Sequence, residues 1–392
     1  MNTAAERPTI VRDAATWFGY LLVGVYIYLL NVQGNVLPFL QTEFALTYRV
    51  VSLHSSAIAV GVIIVGLFGE RLVQALGRRR SLWLGAGGLG VGAILLCLSP
   101  GPVFSIASCA LMGLGGSLVP SVIPAIIADI HGENRDQAFA EQAILAYAFA
   151  IFGPLSTGFF VSQGMGWRWA VIIGGLVTFA LLAIYRNVPM PEGRAVATMG
   201  KRAPLPPAFW AYWCVLSFSC ALEFSVLLWA PAFLERVVGF ASATAATAAA
   251  GFFVGVLVGR IAVRGLLRIL DARTIVFAAL AAGFVGFGLY WGLGTQWSAI
   301  AGIILLGVCV APLYPLSMAF GLGVAGGASD AAATRMTLAF GVAVLIAPAA
   351  LGALADVVGL SLAHLTLPAI IAAALVSFLA AGALQQRATV AA

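Results

Sequence analysis

The chain has 392 residues, 62% of them hydrophobic and only 9% charged, with a formal net charge of +6. A soluble domain carries about 25% charged residues, so this composition excludes a water-soluble globular protein. The repeated apolar runs, each of about 20 residues, predict an all-α protein that crosses a bilayer many times.

Apolar runs parted by Gly, Pro and charged clusters predict twelve helices in chain order. They cover residues 15–40, 48–70, 81–99, 102–129, 138–163 and 167–186, then 209–235, 242–267, 274–293, 297–321, 334–355 and 361–384. The first is long and lacks a small-residue cleavage site, so it is read as a retained helix. An even number puts both termini on one side. With that side cytoplasmic, seventeen of the twenty Lys and Arg fall inside, and only Arg49, Arg168 and Arg236 fall outside. Such lopsidedness is the positive-inside rule. The positive charge is thus an orientation signal, and no nucleic-acid partner is expected. The five cysteines (Cys97, Cys109, Cys214, Cys220, Cys309) lie in apolar runs without metal-ligand spacing, and they are read as packing residues. No metal or cofactor is expected.

The longest polar interruption, "RNVPMPEGRAVATMGKRAPLPP" at 186–207, is a Pro/Gly/Arg-rich linker without a core. It predicts an N-terminal half at 1–186, a linker at 187–208 and a C-terminal half at 209–392. The halves look alike at an offset of about 194 residues: "NVLPFL" matches "WAPAFL", "MGLGGSLVPSVIP" matches "LGVCVAPLYPLSM", and "IFGPLSTG" matches "LIAPAALG". Gly113 then pairs with Gly307, Pro154 with Pro348 and Gly158 with Gly352. Repeated halves with a site between them are the build of many secondary transporters.

With these features the chain resembles the major facilitator superfamily over its whole length. The loop "GERLVQALGRRRSL" carries Gly77, Arg78, Arg79 and Arg80 at the family's positions, while Gln74 stands where the family has an acid. The resemblance implies a charge-paired latch here on the inner side, with Glu70 or Asp129 as the substitute partner. "FGPLSTGFF" looks like the gating element of proton-coupled antiporters, with Gly153, Pro154 and Gly158 matching and Thr157 in place of a glycine. Ordinary helix packing explains this element equally well. Cys109 stands where such antiporters carry an arginine. The resemblance also implies a central cavity lined by the first, fourth, seventh and tenth helices, with parts of the second, fifth, eighth and eleventh.

One acid falls at the centre of an apolar run. Glu223 lies fourteen residues past Phe209, or about 21 Å along a helix. A carboxylate in hydrocarbon is costly and usually functional, and burial favours its protonated form. Three roles stay open for it: proton carrier, substrate contact, or hydrogen-bonded structural carboxyl, with Ser219 a possible partner. Asn31 and Asn35 are four apart and share a helix face, with Gln33 turned elsewhere. Gln142, Tyr147, Trp229 and Tyr314 complete the candidate substrate contacts. Arg260, toward the cytoplasmic end of its helix, could steer anionic solutes, but snorkelling to the inner interface is the favoured reading. With no central arginine available, a multiply anionic solute is disfavoured.

No catalytic set or nucleotide loop is found, so no enzyme is expected. The expected function is a monomeric secondary transporter in a bacterial plasma membrane. It moves a small neutral or weakly cationic organic solute by alternating access, coupled to protons, with export favoured. An uncoupled facilitator, a sugar-type symporter, a lipid flippase or a non-transporting receptor remain alternatives.

Overall fold

The computed structural model describes residues 12–191, 205–325 and 329–391. Residues 192–204, the middle of the expected linker, lie outside that range. We label the helices α1 (Ala14–Glu43), α2 (Tyr48–Leu76), α3 (Arg78–Leu98), α4 (Pro102–His131), α5 (Arg135–Ser162) and α6 (Arg168–Ile184). There follow α7 (Pro207–Arg236), α8 (Ser242–Leu266), α9 (Ala272–Gly292), α10 (Gln296–Val324), α11 (Ser329–Val358) and α12 (Thr366–Ala391), the last preceded by the single turn Leu360–Ala363. Among the described residues, eleven helical spans are long and apolar enough to cross a membrane, and α6, with 17 residues, is a shorter twelfth. That length is at the lower limit of about 17 residues for a span.

The helix starts are local. Asp13 accepts from the Thr16 amide at 2.8 Å, and Asp271 accepts from the Thr274 amide at 3.0 Å, each satisfying an orphan first-turn N–H. Pro102 and Pro207 begin α4 and α7, where a missing N–H costs nothing. Gly77 turns α2 into α3 at φ 80° and ψ 157°, a conformation essentially reserved for glycine. Several features depart from the sequence reading: α2 runs on to Leu76 rather than 70, and α12 spans Thr366–Ala391 rather than 361–384. α11 begins at Ser329 rather than 334. α4 breaks at Ser117, because Pro120 cannot donate to the Gly116 carbonyl.

Glycines set the helix crossings, and they do so twice. A Cβ on Gly113 of α4 would stand 2.6 Å from the Ile58 Cα of α2, and one on Gly61 of α2 would meet the Gly113 backbone. In the second half, a Cβ on Gly307 of α10 would stand 2.9 Å from the Val256 amide nitrogen of α8, and one on Gly255 would meet the Ile304 carbonyl. Gly61 and Gly255, like Gly113 and Gly307, are 194 residues apart. The internal repeat is therefore also a repeat of contacts. It yields two six-helix pseudo-symmetric halves, α1–α6 and α7–α12. Around them the outward side chains are apolar, as Leu67, Val103, Trp297 and Val357 show, which suits a hydrocarbon solvent.

The halves meet along two seams, α5 with α8 and α11 with α2. A Cβ on Gly158 would meet the Thr247 hydroxyl and, at 2.8 Å, the Ala243 carbonyl; one on Gly352 would lie 2.7 Å from the Trp229 ring and 3.0 Å from the Tyr48 carbonyl. At this end of the bundle, Asp356 of α11 accepts from the amides of Tyr48 and Arg49, both at 2.7 Å, at the start of α2. Arg236 of α7 donates to the Gln41 Oε1 at 2.7 Å and to the Tyr48 hydroxyl at 3.1 Å. At the opposite end, the bonds made by Arg12, Arg78, Arg79 and Arg273 stay within one half or reach the start of the linker, and none of them joins the two halves. The protein is thus held in a conformation closed at the Asp356 end.

Candidate functional site

α1 and α7 touch where Gly34 removes a side chain: a Cβ there would lie 3.0 Å from the Leu227 carbonyl and 3.1 Å from the Leu228 side chain. Both helices run from the Arg78 end toward the Asp356 end, so Glu223, four residues before Leu227, is level with Leu30 and Asn31. On α5, Gly153 seats against the Asn31 Cβ, which a Cβ of its own would approach to 3.1 Å. Asn31 donates to the Ile27 carbonyl at 2.8 Å and Asn35 to the Asn31 carbonyl at 3.0 Å. Both amides thus spend their nitrogens on their own helix. Both Oδ1 atoms remain buried without a partner. Gln33 turns to α2 and reaches the Ser55 hydroxyl at 3.4 Å.

Arg260 is not at the interface. Its guanidinium carbon lies 4.5 Å from the centre of the Tyr147 ring of α5, a cation–π arrangement that bridges the halves. Glu223 and Tyr314 lie within electrostatic range of both groups. The Glu223 carboxyl and the Arg260 guanidinium form no ion pair, and the Arg260 Nε is buried and unpartnered. The expectation that this arginine snorkels is therefore corrected. Its side chain points back along α8 toward the helix start, as helical side chains do, and that direction leads to Tyr147. The Ser219 hydroxyl, one turn before Glu223, has no partner either, so the pairing considered for Glu223 is not made. The Gln142 Nε2 is also buried without a partner.

α5, α7, α8 and α10 thus converge on one acid, one cation and two phenols. Buried polar atoms are normally hydrogen-bonded, and unpaired ones cost about 1–3 kcal/mol each. Orphan donors at Arg260 and Gln142, with orphan acceptors at Asn31 and Asn35, suit a polar guest.

Trp229 is placed elsewhere. It is fully buried, donates to the Pro348 carbonyl at 3.0 Å, and stacks edge-on with Tyr48 at 5.6 Å. It belongs to the closed end. Pro154 lies inside the unbroken α5 between Gly153 and Gly158, and the motif's two glycines hold α5 against α1 on one side and α8 on the other. In the expected latch, Arg78 pairs with Asp129 and also reaches the Pro191 carbonyl at 3.4 Å. Arg79 reaches the Val188 carbonyl at 3.4 Å and lies 5.2 Å from the Trp83 ring. Arg80 is exposed. A large apolar groove of about 550 Å³, lined by Val25, Tyr28, Phe149, Phe152, Phe159 and Val177, opens on the lipid side and is separate from this polar centre.

Residues 16–338 match the family model of the Major Facilitator Superfamily. The chain is 25% identical over 351 residues to the multidrug efflux pump LfrA of Mycolicibacterium smegmatis, covering 83% of this chain and 65% of that protein. It is 23% identical to the cyanate transport protein CynX of Escherichia coli, covering 75% and 77% respectively. Among solved structures, a bacterial homologue of the human lysosomal transporter Spinster, inward-facing and occupied, superposes with a TM-score of 0.74 at 13% identity. That likeness covers 96% of this chain and 98% of the other and speaks for the fold alone. The chain spans about two thirds of the length of LfrA or less in its first matches, 65% there and 38% in a puromycin resistance protein.

Proposed function

Because the chain belongs to the major facilitator superfamily, we propose that this membrane transporter moves a small organic solute by alternating access and couples that movement to protons at Glu223. The carrying observation is the placement of Glu223: a part-buried carboxyl mid-way along α7, facing Arg260, Tyr147 and Tyr314 without an ion pair. A carboxyl so placed exchanges a proton readily when its access changes. The moving parts are residues 1–186 and 209–392, which rock about the α5–α8 and α11–α2 seams. Asn31, Asn35, Gln142, Tyr147 and Tyr314 are the solute contacts, while Gln33 and Trp229 hold α1 and the closed end.

The distribution of basic residues supports placing the Arg78 end and both termini in the cytoplasm, and bacterial relatives support a plasma membrane. On that orientation the conformation is inward-facing, with Arg78 and Asp129 standing at the inner mouth. The relative named as an efflux pump favours export.

The test uses purified protein in liposomes with a trapped pH dye and a panel of neutral, cationic and monoanionic solutes. Solute-dependent proton movement that disappears in Glu223→Gln is the expected result. Equal solute movement in both proteins with no proton signal would refute the coupling role.

A further inference from the structure

We infer that Arg260 is the anchor for a single anionic group on the transported solute. This rests on the transporter reading above and narrows its substrate class, replacing the neutral or cationic solute that the sequence suggests. The guanidinium is presented for such a role. Its carbon lies 4.5 Å from the centre of the Tyr147 ring, between the two halves, and its buried Nε has no acceptor. Four other arginines are occupied: Arg78 with Asp129, Arg168 with Glu43, Arg236 with Gln41 and Arg273 with Gln385. A structural arginine at this depth would be expected to close an ion pair with the nearest acid. Glu223 is near enough to feel its charge yet makes no such pair.

A guanidinium with a free Nε–H and no carboxylate partner is matched by a carboxylate or another planar oxyanion. The neighbouring Glu223 limits the guest to one negative charge, because a second would face a carboxyl across a low-dielectric gap. On the other faces of the centre the structure offers uncharged groups: Tyr147 and Tyr314 as rings, and Asn31 and Asn35 as acceptors for an N–H or O–H. The solute class is thus an organic monoanion of modest size, carrying a flat or hydroxyl-bearing body.

Matched pairs test this directly. Detergent-purified protein is melted in the presence of benzoate or benzamide, nicotinate or nicotinamide, and hexanoate or hexanamide. At least one carboxylate should raise the midpoint in the wild type while its amide does not. Arg260→Gln should bind that carboxylate roughly ten- to a hundredfold more weakly, the size expected for losing a charge-assisted hydrogen bond, and Arg260→Lys should keep part of the affinity. Modification of the wild type with phenylglyoxal, read by peptide mass, gives a measurement that needs no variant: the stabilising carboxylate should shield Arg260.

The inference is overturned if no carboxylate stabilises, if amides match carboxylates, if Arg260→Gln retains the response, or if Arg260 is not shielded. Failure here, with a neutral solute still driving protons through the wild type and not through Glu223→Gln, leaves the transporter reading standing. Shielding of Arg260 with no solute moving in liposomes would do the reverse.

Discussion

Asp356→Ala removes a carboxylate that ties the two halves together only while the Asp356 end is shut. Its two oxygens accept the Tyr48 and Arg49 amides at 2.7 Å, which makes it an N-cap for α2 supplied from α11. Loss of a cap costs about 0.5–2 kcal/mol. Because Asp356 is exposed, the lower half of that range applies, and about 1 kcal/mol corresponds to roughly a fivefold shift in a two-state equilibrium. The assay is hydrogen exchange by mass spectrometry on the protein in nanodiscs. Peptides around Gln41, Arg236 and Gly158 should exchange roughly fivefold faster, and Asp356→Asn, which keeps one acceptor oxygen for the two amides, should restore part of the protection. If only the amides of Tyr48 and Arg49 speed up while the other three peptides keep their wild-type rates, Asp356 is a local cap and the argument for a closed end fails.

Gly307→Ala should lower the melting midpoint, because its Cβ would press on the Phe252 carbonyl and the Val256 amide. Overpacking of this kind costs about 1–3 kcal/mol, whereas Gly288→Ala, with open space around it, should leave the midpoint unchanged. At the opposite end, Gly77→Ala should cost about 1–3 kcal/mol for its backbone conformation. Asp129→Asn should cost at most about 1 kcal/mol, since the carboxylate is 40% exposed and such pairs are weak. Chemical denaturation of the two variants checks the order, and a reversed order would place the strength of this loop in its ion pair.

Hydrophobic run length read the helices well, because lipid demands long apolar segments and polar breaks between them. α1, α2 and α7–α10 start or end within a few residues of the expected positions. The interior break at Ser117 was missed, although Pro120 three residues on carries the signal: a proline removes the bond to the fourth residue before it. Arg260 shows the deeper limit. Sequence gives depth along a helix, and Arg260 lies six residues from the end of α8, where snorkelling is usual. Which way that helix face points depends on the crossing set by Gly158 with Thr247, a contact between halves that no local pattern encodes. Trp229 fails as a cavity residue for a similar reason, since its neighbours Tyr48 and Pro348 come from distant helices. The repeat, in contrast, was legible at Gly113 and Gly307, because each glycine permits a crossing that any side chain would block.

The seams at the closed end are not twins. At the offset of 194, Asp356 corresponds to Ser162, whose hydroxyl turns back to the Phe159 carbonyl at 2.8 Å and leaves α8 uncapped by α5. At that end one seam therefore has a carboxylate hydrogen-bonded to two amides, and the other has the fit of a glycine against Thr247 and Ala243. A zipper fastened at one edge opens from the other. On the proposed rocking motion, the first cleft at the Asp356 end should appear along α5 and α8, as a sideways parting whose hinge is the α2–α11 edge, so the path opened there is skewed rather than centred on the pseudo-twofold axis.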